Sequence, residues 1–151
     1  MALLNYTTRI DPDKTAAEIA KILSMHGATA VMTEYDKEDG AVTALSFKVQ
    51  LNDKQLGFRL PCSWEPVLRV LTEQWRAGKL KQNGSKAPDR LQAVRVAWRI
   101  VKDWVEAQMA LVETQMVETH DVFLPYLVLP NDKTLAENLK TNPNFLLGDG
   151  K

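Results

Sequence analysis

Apolar positions along this chain fall into blocks of different period, separated by turn-forming residues. Residues 3–10, LLNYTTRI, alternate well enough for a strand. DPDKTAAE then supplies helix-start chemistry in Pro12, Asp13, and Thr15 with Glu18 at capping-box spacing. The expected helix runs to about His26, with Ile19, Ile22 and Leu23 on one face and Gly27 at a left-handed stop. Three strands follow in expectation, ATAVMTEY, AVTALSFKVQL and LGFRLP, joined by DKEDG and NDKQ, connections short enough to require antiparallel hairpins. Ser63 is placed to cap a second helix with Pro66 in its first turn, Val67, Leu68, Leu71 and Trp75 along its buried stripe, and Gly78 at its end. After the basic polar loop KLKQNGSKA, Pro88 and Asp89 open a long helix expected to reach about His120. Pro125, Pro130 and Pro143 break the remainder, so residues 121–151 should form a wrapping tail with one short helix near Leu135 to Leu139.

This order predicts an α+β fold: an antiparallel sheet of about four strands covered by helices, with a long central C-terminal helix, as one domain over residues 1–151. A domain of this size buries roughly 70% of its unfolded surface and needs no staples. Residues 15 to 77 share the helix–strand–strand–strand–helix order of double-stranded-RNA-binding domains. The parallel is one of order only, because PCSWEP stands where the lysine-rich start of their last helix would be.

The long helix is apolar around more than half of its circumference. At 100° per residue, Leu91, Val94, Trp98, Val101, Val105, Met109, Val112 and Met116 form one stripe. Ala93, Ala97, Ile100, Trp104, Ala107 and Leu111 form a second, and a wedge with Gln92, Arg95, Arg99, Lys102, Asp103, Glu106 and Glu113 is left for solvent. Two stripes require two partners. The sheet with the first helix is one; the other is the second helix, the proline-broken tail, or a second copy of the chain meeting Trp104 and Leu111 in a homo-oligomer.

Net charge is zero, but its distribution is uneven. From Arg76 to Lys102 eight basic residues (Arg76, Lys79, Lys81, Lys86, Arg90, Arg95, Arg99, Lys102) face one acid, Asp89; beyond Lys102 eight acids face three bases. Lys79, Lys81 and Lys86 in the loop and Arg95, Arg99 and Lys102 on the helix wedge are the candidate surface for phosphate, on DNA or RNA. The same residues also read as a solvated face, with Arg99 and Asp103, and Lys102 and Glu106, spaced as i,i+4 pairs, or as a surface for an acidic protein. Trp98 and Trp104 belong to the core stripes, which leaves Trp64 and Trp75 as the candidates for base stacking.

No pattern asks for catalysis, and no cofactor or metal is expected. Cys62 lies ahead of a helix start, but a thiolate nucleophile needs a base, and neither His26 nor His120 is near it in sequence. The histidines have no metal-ligand spacing. DKEDG resembles a calcium-loop fragment without the distal glutamate, and a hairpin turn explains it. One cysteine, no apolar leader and no apolar run of the ~20 residues that a bilayer span needs predict a cytoplasmic setting without membrane contact. Asn5 and Asn83 then carry no glycans.

Three blocks, NYTTRIDPDKTAAEIAKIL with HGATAVMTEYD, ALSFKV leading to GFRLP, and RVAWRIVKDWVEAQMALVE leading to VFLPYL, together resemble an uncharacterised family of small proteins carried by phages, prophages and integrative elements. The resemblance implies an accessory role in a mobile genetic element and transfers no site residues. Two functions fit: nucleic-acid binding through the basic surface, or counter-defence by a binding protein that masks a host defence protein or sequesters a nucleotide signal. An enzyme with a site assembled across subunits is a third possibility.

Overall fold

The computed structural model describes residues 1–80 and 86–148. Helix α1 (Pro12–Met25) starts at Asp11, whose backbone is extended, with Pro12 in the position where a missing amide costs nothing. Asp11, not Thr15, therefore stands at the N-cap position, without a side-chain cap hydrogen bond. Thr15 is fully buried one turn in, and the Glu18 carboxylate accepts a hydrogen bond from Arg99 instead of from the chain start. Ala16, Ile19 and Leu23 make the buried stripe, and Gly27 turns the chain at a φ of 101°.

Strands β1 (Ala28–Tyr35), β2 (Val42–Leu51) and β3 (Lys54–Arg59) form an antiparallel sheet in the order β1-β2-β3. The acidic DKEDG is a turn: the Asp36 carboxylate accepts from the Glu38 and Asp39 amides, and Gly40 donates back to the Asp36 carbonyl. Val42, Leu45, Phe47 and Val49 of β2 and Phe58 of β3 point to the covered face. Along the outer face lie Ala30 and Met32 of β1, with Ser46 and Gly57 beside them, over a shallow groove of about 360 Å³.

Helix α2 (Trp64–Arg76) closes with Gly78 at φ 71°, its amide donating to the Trp75 carbonyl while Lys79 donates to that of Gln74. Helix α3 (Arg90–Glu113) starts at Asp89, whose carboxylate accepts from the Gln92 amide. Two cores meet on α3. Val94, Trp98, Val101, Val105 and Met109 pack with α1 and the sheet, and the Trp98 indole N–H donates to the Val42 carbonyl at 3.1 Å. Ala93, Val96 and Ile100 pack with Leu71, Leu80 and the flank of α2. Helix α2 thus lies on α3 rather than on the sheet. Val96 falls between the two expected stripes, yet it is fully buried.

Further along, the tail takes Trp104 of the second stripe, while Ala107 and Leu111 stay exposed. Trp104 meets Phe123 and Tyr126 edge to face at 5.4 and 5.6 Å.

Two expectations are corrected. Residues 3–10 form no strand; they turn twice, with Asn5 at φ 64°, and are strapped down by side chains. The Gln92 amide donates to the carbonyls of Tyr6 and Thr8, Gln74 accepts from the Leu3 amide, and Asn5 donates to Asp103. Leu3 and Tyr6 sit against the α2–α3 core. Among the described residues the sheet therefore has three strands, not four. The long helix ends at Glu113 rather than near His120: Gln115 adopts φ 65°, its amide donating to Val112 and the Met116 amide to Leu111, a left-handed stop built without glycine. Met116 consequently leaves the stripe and is exposed.

The tail holds helix α4 (Thr119–Val122) and helix α5 (Leu135–Thr141), the latter with a reciprocal cap between Thr134 and Glu137. Between them Leu127 bridges to Phe58, the Val128 amide donating to the Gly57 carbonyl at 2.8 Å, and Arg59 pairs with Asp132 at 3.0 Å. Phe123 is the residue that locks the tail, fully buried against Phe47, Phe58 and Trp104. Phe123→Ala should cost about 3–5 kcal/mol in urea denaturation, the usual cost of truncating a buried phenylalanine; a loss below 1 kcal/mol would mean that the tail does not close this core.

Candidate functional site

The basic block divides once its side chains are placed. Arg90 pairs with Asp39 across the mouth of the β1–β2 turn and lies over the Trp64 ring, 5.3 Å from its centroid. The hydrogen bond to Asp39 raises the Arg90 pKa, while the Ala41 amide and then Arg90 lower that of Asp39. Arg99 binds Glu18 at 2.6 Å, and Lys102 binds Glu106 at 2.6 Å with Glu18 at 4.0 Å; both basic side chains are only 14% exposed. The i,i+4 pair of Lys102 forms as spaced, whereas Arg99 turns to α1, and Asp103 instead accepts from Asn5. Arg76 and Lys79 are exposed at the end of α2. Lys81 lies outside the described residues.

Lys86 and Arg95 remain, and the fold brings them together with a residue from the far end of the chain. A cleft of about 210 Å³ is walled by Thr7 and Arg9 of the N-terminal strap, Lys86 and Asp89 before α3, and Gln92 and Arg95 on its first two turns. Gln92 organises it. Its amide nitrogen holds the strap through Tyr6 and Thr8, and its amide oxygen accepts from the Arg95 guanidinium at 3.1 Å. Asp89, the one carboxylate in the wall, is engaged as the cap of α3. Among the described residues no acid lies within ion-pairing distance of Arg9, Lys86 or Arg95. Such a concavity, with two guanidinium forks and an ammonium, can hold an oxyanion through charge-assisted hydrogen bonds. Of the six expected phosphate-binding residues, the structure gathers Lys86 and Arg95 here, leaves Lys79 outside and pairs Arg99 and Lys102 with acids. Arg9 was not among them.

Arg95 also borders a second cavity, of about 160 Å³, whose walls include Asp11, Asp13 and Asp39. The cationic cleft is thus flanked by carboxylates on that side.

The other candidates are otherwise engaged. Trp75 packs into the α2–α3 core and Trp64 lies under Arg90, so neither presents an open ring to a base. Trp104 is covered by the tail, while Leu111 is 37% exposed. His26 makes a 2.8 Å contact from Nδ1 to the Ile22 carbonyl at the end of α1. His120 lies with Glu118 and Asp121, their ligand-capable atoms within 4.8 Å of one another, but both carboxylates serve as reciprocal caps of α4. Cys62 lines a cavity of about 240 Å³ beside Trp64, Arg90 and Trp98, and burial pushes its thiol up to about 12, away from nucleophilic reactivity. Among the described residues no helix is long and apolar enough to cross a membrane. No protein-family model, curated protein or solved structure matches this chain.

The half-buried thiol yields a pH dependence of definite sign. The folded state keeps the Cys62 proton where the unfolded thiol, with its ordinary value of 9.0, has lost it. Stability from this group is complete below about pH 9 and is lost as pH rises towards 12. Iodoacetamide at pH 8 should therefore alkylate Cys62 much more slowly in the native protein than in urea; equal rates would contradict the raised thiol pKa.

Proposed function

We propose that the protein acts by binding rather than by catalysis, and that its ligand is a nucleic acid held through phosphate at the cleft of Arg9, Lys86 and Arg95. One observation carries this reading: three cations converge on a single concavity with no acid partner among the described residues, while Arg90, Arg99 and Lys102 are neutralised. An accessory role in a phage or other mobile element, in the cytoplasm of its host, belongs to the same proposal and rests on the sequence resemblance.

Fluorescence-anisotropy titration of single- and double-stranded DNA and RNA at low and physiological salt tests it. Affinity should fall with salt. Arg95→Ala should weaken binding about tenfold, the loss of one charged hydrogen-bonding group, and leave unfolding unchanged. Arg99→Ala should do the reverse, costing about 1 kcal/mol of stability through the Glu18 pair and leaving affinity intact. Equal affinity for wild type and Arg95→Ala would remove the site.

A second reading, counter-defence through a protein partner, is favoured by a separate observation: among the described residues only Val128 and Asp132 of the tail border the groove on the outer sheet face, where Met32 is 57% exposed along the edge strand β1. An edge strand of eight residues without lysine or proline is open to pairing with another chain. The partner is a host defence protein or a second copy of this chain, and it docks here rather than at Trp104. Sedimentation tests the self-association part: a dimer at tens of micromolar should dissociate in Met32→Lys and persist in Leu111→Glu, and a monomeric wild type would exclude it.

A further inference from the structure

We propose that the cleft recognises a phosphate monoester, the terminal phosphate of a strand or that of a free mononucleotide, and not an internal phosphodiester. The inference rests on the phosphate-binding reading and narrows it.

Charge count comes first. Arg9, Lys86 and Arg95 against Asp89 leave the cleft with two formal positive charges. A phosphate monoester carries about −1.5 to −2 at pH 7, with three acceptor oxygens. A diester offers one negative charge and two non-bridging oxygens, so it would leave one guanidinium fork unmatched.

The surroundings favour an end over a path. A backbone tracked by a protein needs cations in succession, one for each phosphate neutralised. Along α3, away from the cleft, the next cations are Arg99 and Lys102, and Glu18 and Glu106 already bind them. On the flank that Arg95 shares, Asp11 and Asp13 would repel a second phosphate, and Asp39 is held by Arg90. On the α3 flank and the Asp11–Asp13 flank the described residues thus bound the cationic pocket with closed ion pairs and carboxylates, which suits a charge that stops there.

Size agrees. At about 30 Å³ per water, a cleft of about 210 Å³ has room for roughly seven waters, enough for a phosphate group with part of its sugar. The strap is the device that makes the pocket. Gln92 holds Tyr6 and Thr8 by their carbonyls, and this keeps Arg9 in the wall of the cleft that Arg95 also lines.

The test compares one oligonucleotide sequence carrying a 5′-phosphate, a 3′-phosphate or hydroxyls at both ends, with a nucleoside monophosphate and inorganic phosphate as competitors, on the full chain. A phosphorylated end should bind about tenfold or more tighter than the hydroxyl form, as expected for added charged hydrogen bonds. Arg95→Ala and, on the exposed strap, Arg9→Ala should each erase that preference, while Arg99→Ala keeps it. A monophosphate that competes as well as the phosphorylated strand would identify the free nucleotide as the ligand; weaker competition would identify the strand end. Both results support a monoester site. Equal binding of phosphorylated and hydroxyl strands would overturn the inference and leave the nucleic-acid reading standing, whereas no binding of any strand or phosphate would overturn both.

Discussion

Helix α3 has more apolar surface than one face of a three-stranded sheet can cover, and the rest of the chain is arranged to bury the excess. Sheet and α1 take the side of Val94, Trp98, Val101 and Val105; α2 and the N-terminal strap take Ala93, Val96 and Ile100; the tail takes Trp104. A helix partnered on several sides cannot rotate or slide without opening a cavity somewhere, so packing fixes it as the reference frame of the molecule. The cationic cleft inherits that rigidity. One of its walls is the start of α3 itself, the segment before it enters α3 through the Asp89 cap, and the strap is tied to α3 through Gln92.

Much of this was legible in the residues. The hairpins were marked by DKEDG and NDKQ, although Lys54 and Gln55 of the latter already pair in β3 and leave Asn52 and Asp53 as the turn, and α1 by apolar spacing between Pro12 and Gly27. The excess apolar surface of α3 was visible as a second stripe, although Val96 was hidden between the two. The failures share a cause: a side chain or backbone group did what a more familiar signal usually does. Gln115 took a left-handed conformation normally signalled by glycine, so the helix stop passed unmarked. The side chains of Gln74 and Gln92 satisfied the backbone at residues 3–10, where alternation alone suggested a ladder.

The site was legible only in part because charge in a sequence says nothing of partners far along it. Arg99 and Glu18 stand 81 positions apart, so their neutralisation could not be read from the local run of arginines and lysines. Arg9 belongs to no basic block, and only the fold of the strap places it with Lys86 and Arg95. The local i,i+4 spacing of Lys102 and Glu106, by contrast, was visible and forms.

The central place of α3 also sets an order of events during synthesis. Residues 12–80 reach the ribosome exit with Ile19, Phe47, Phe58 and Leu71 lacking the surface that buries them, since that surface lies beyond Asp89. Long-range closure must wait for chain still to be made, and in that interval an apolar half-sheet is open to the wrong neighbours. Polar Lys48, Gln50 and Gln55 on the exposed side of β2 and β3 then give the nascent sheet solubility before its other face has anything to rest on.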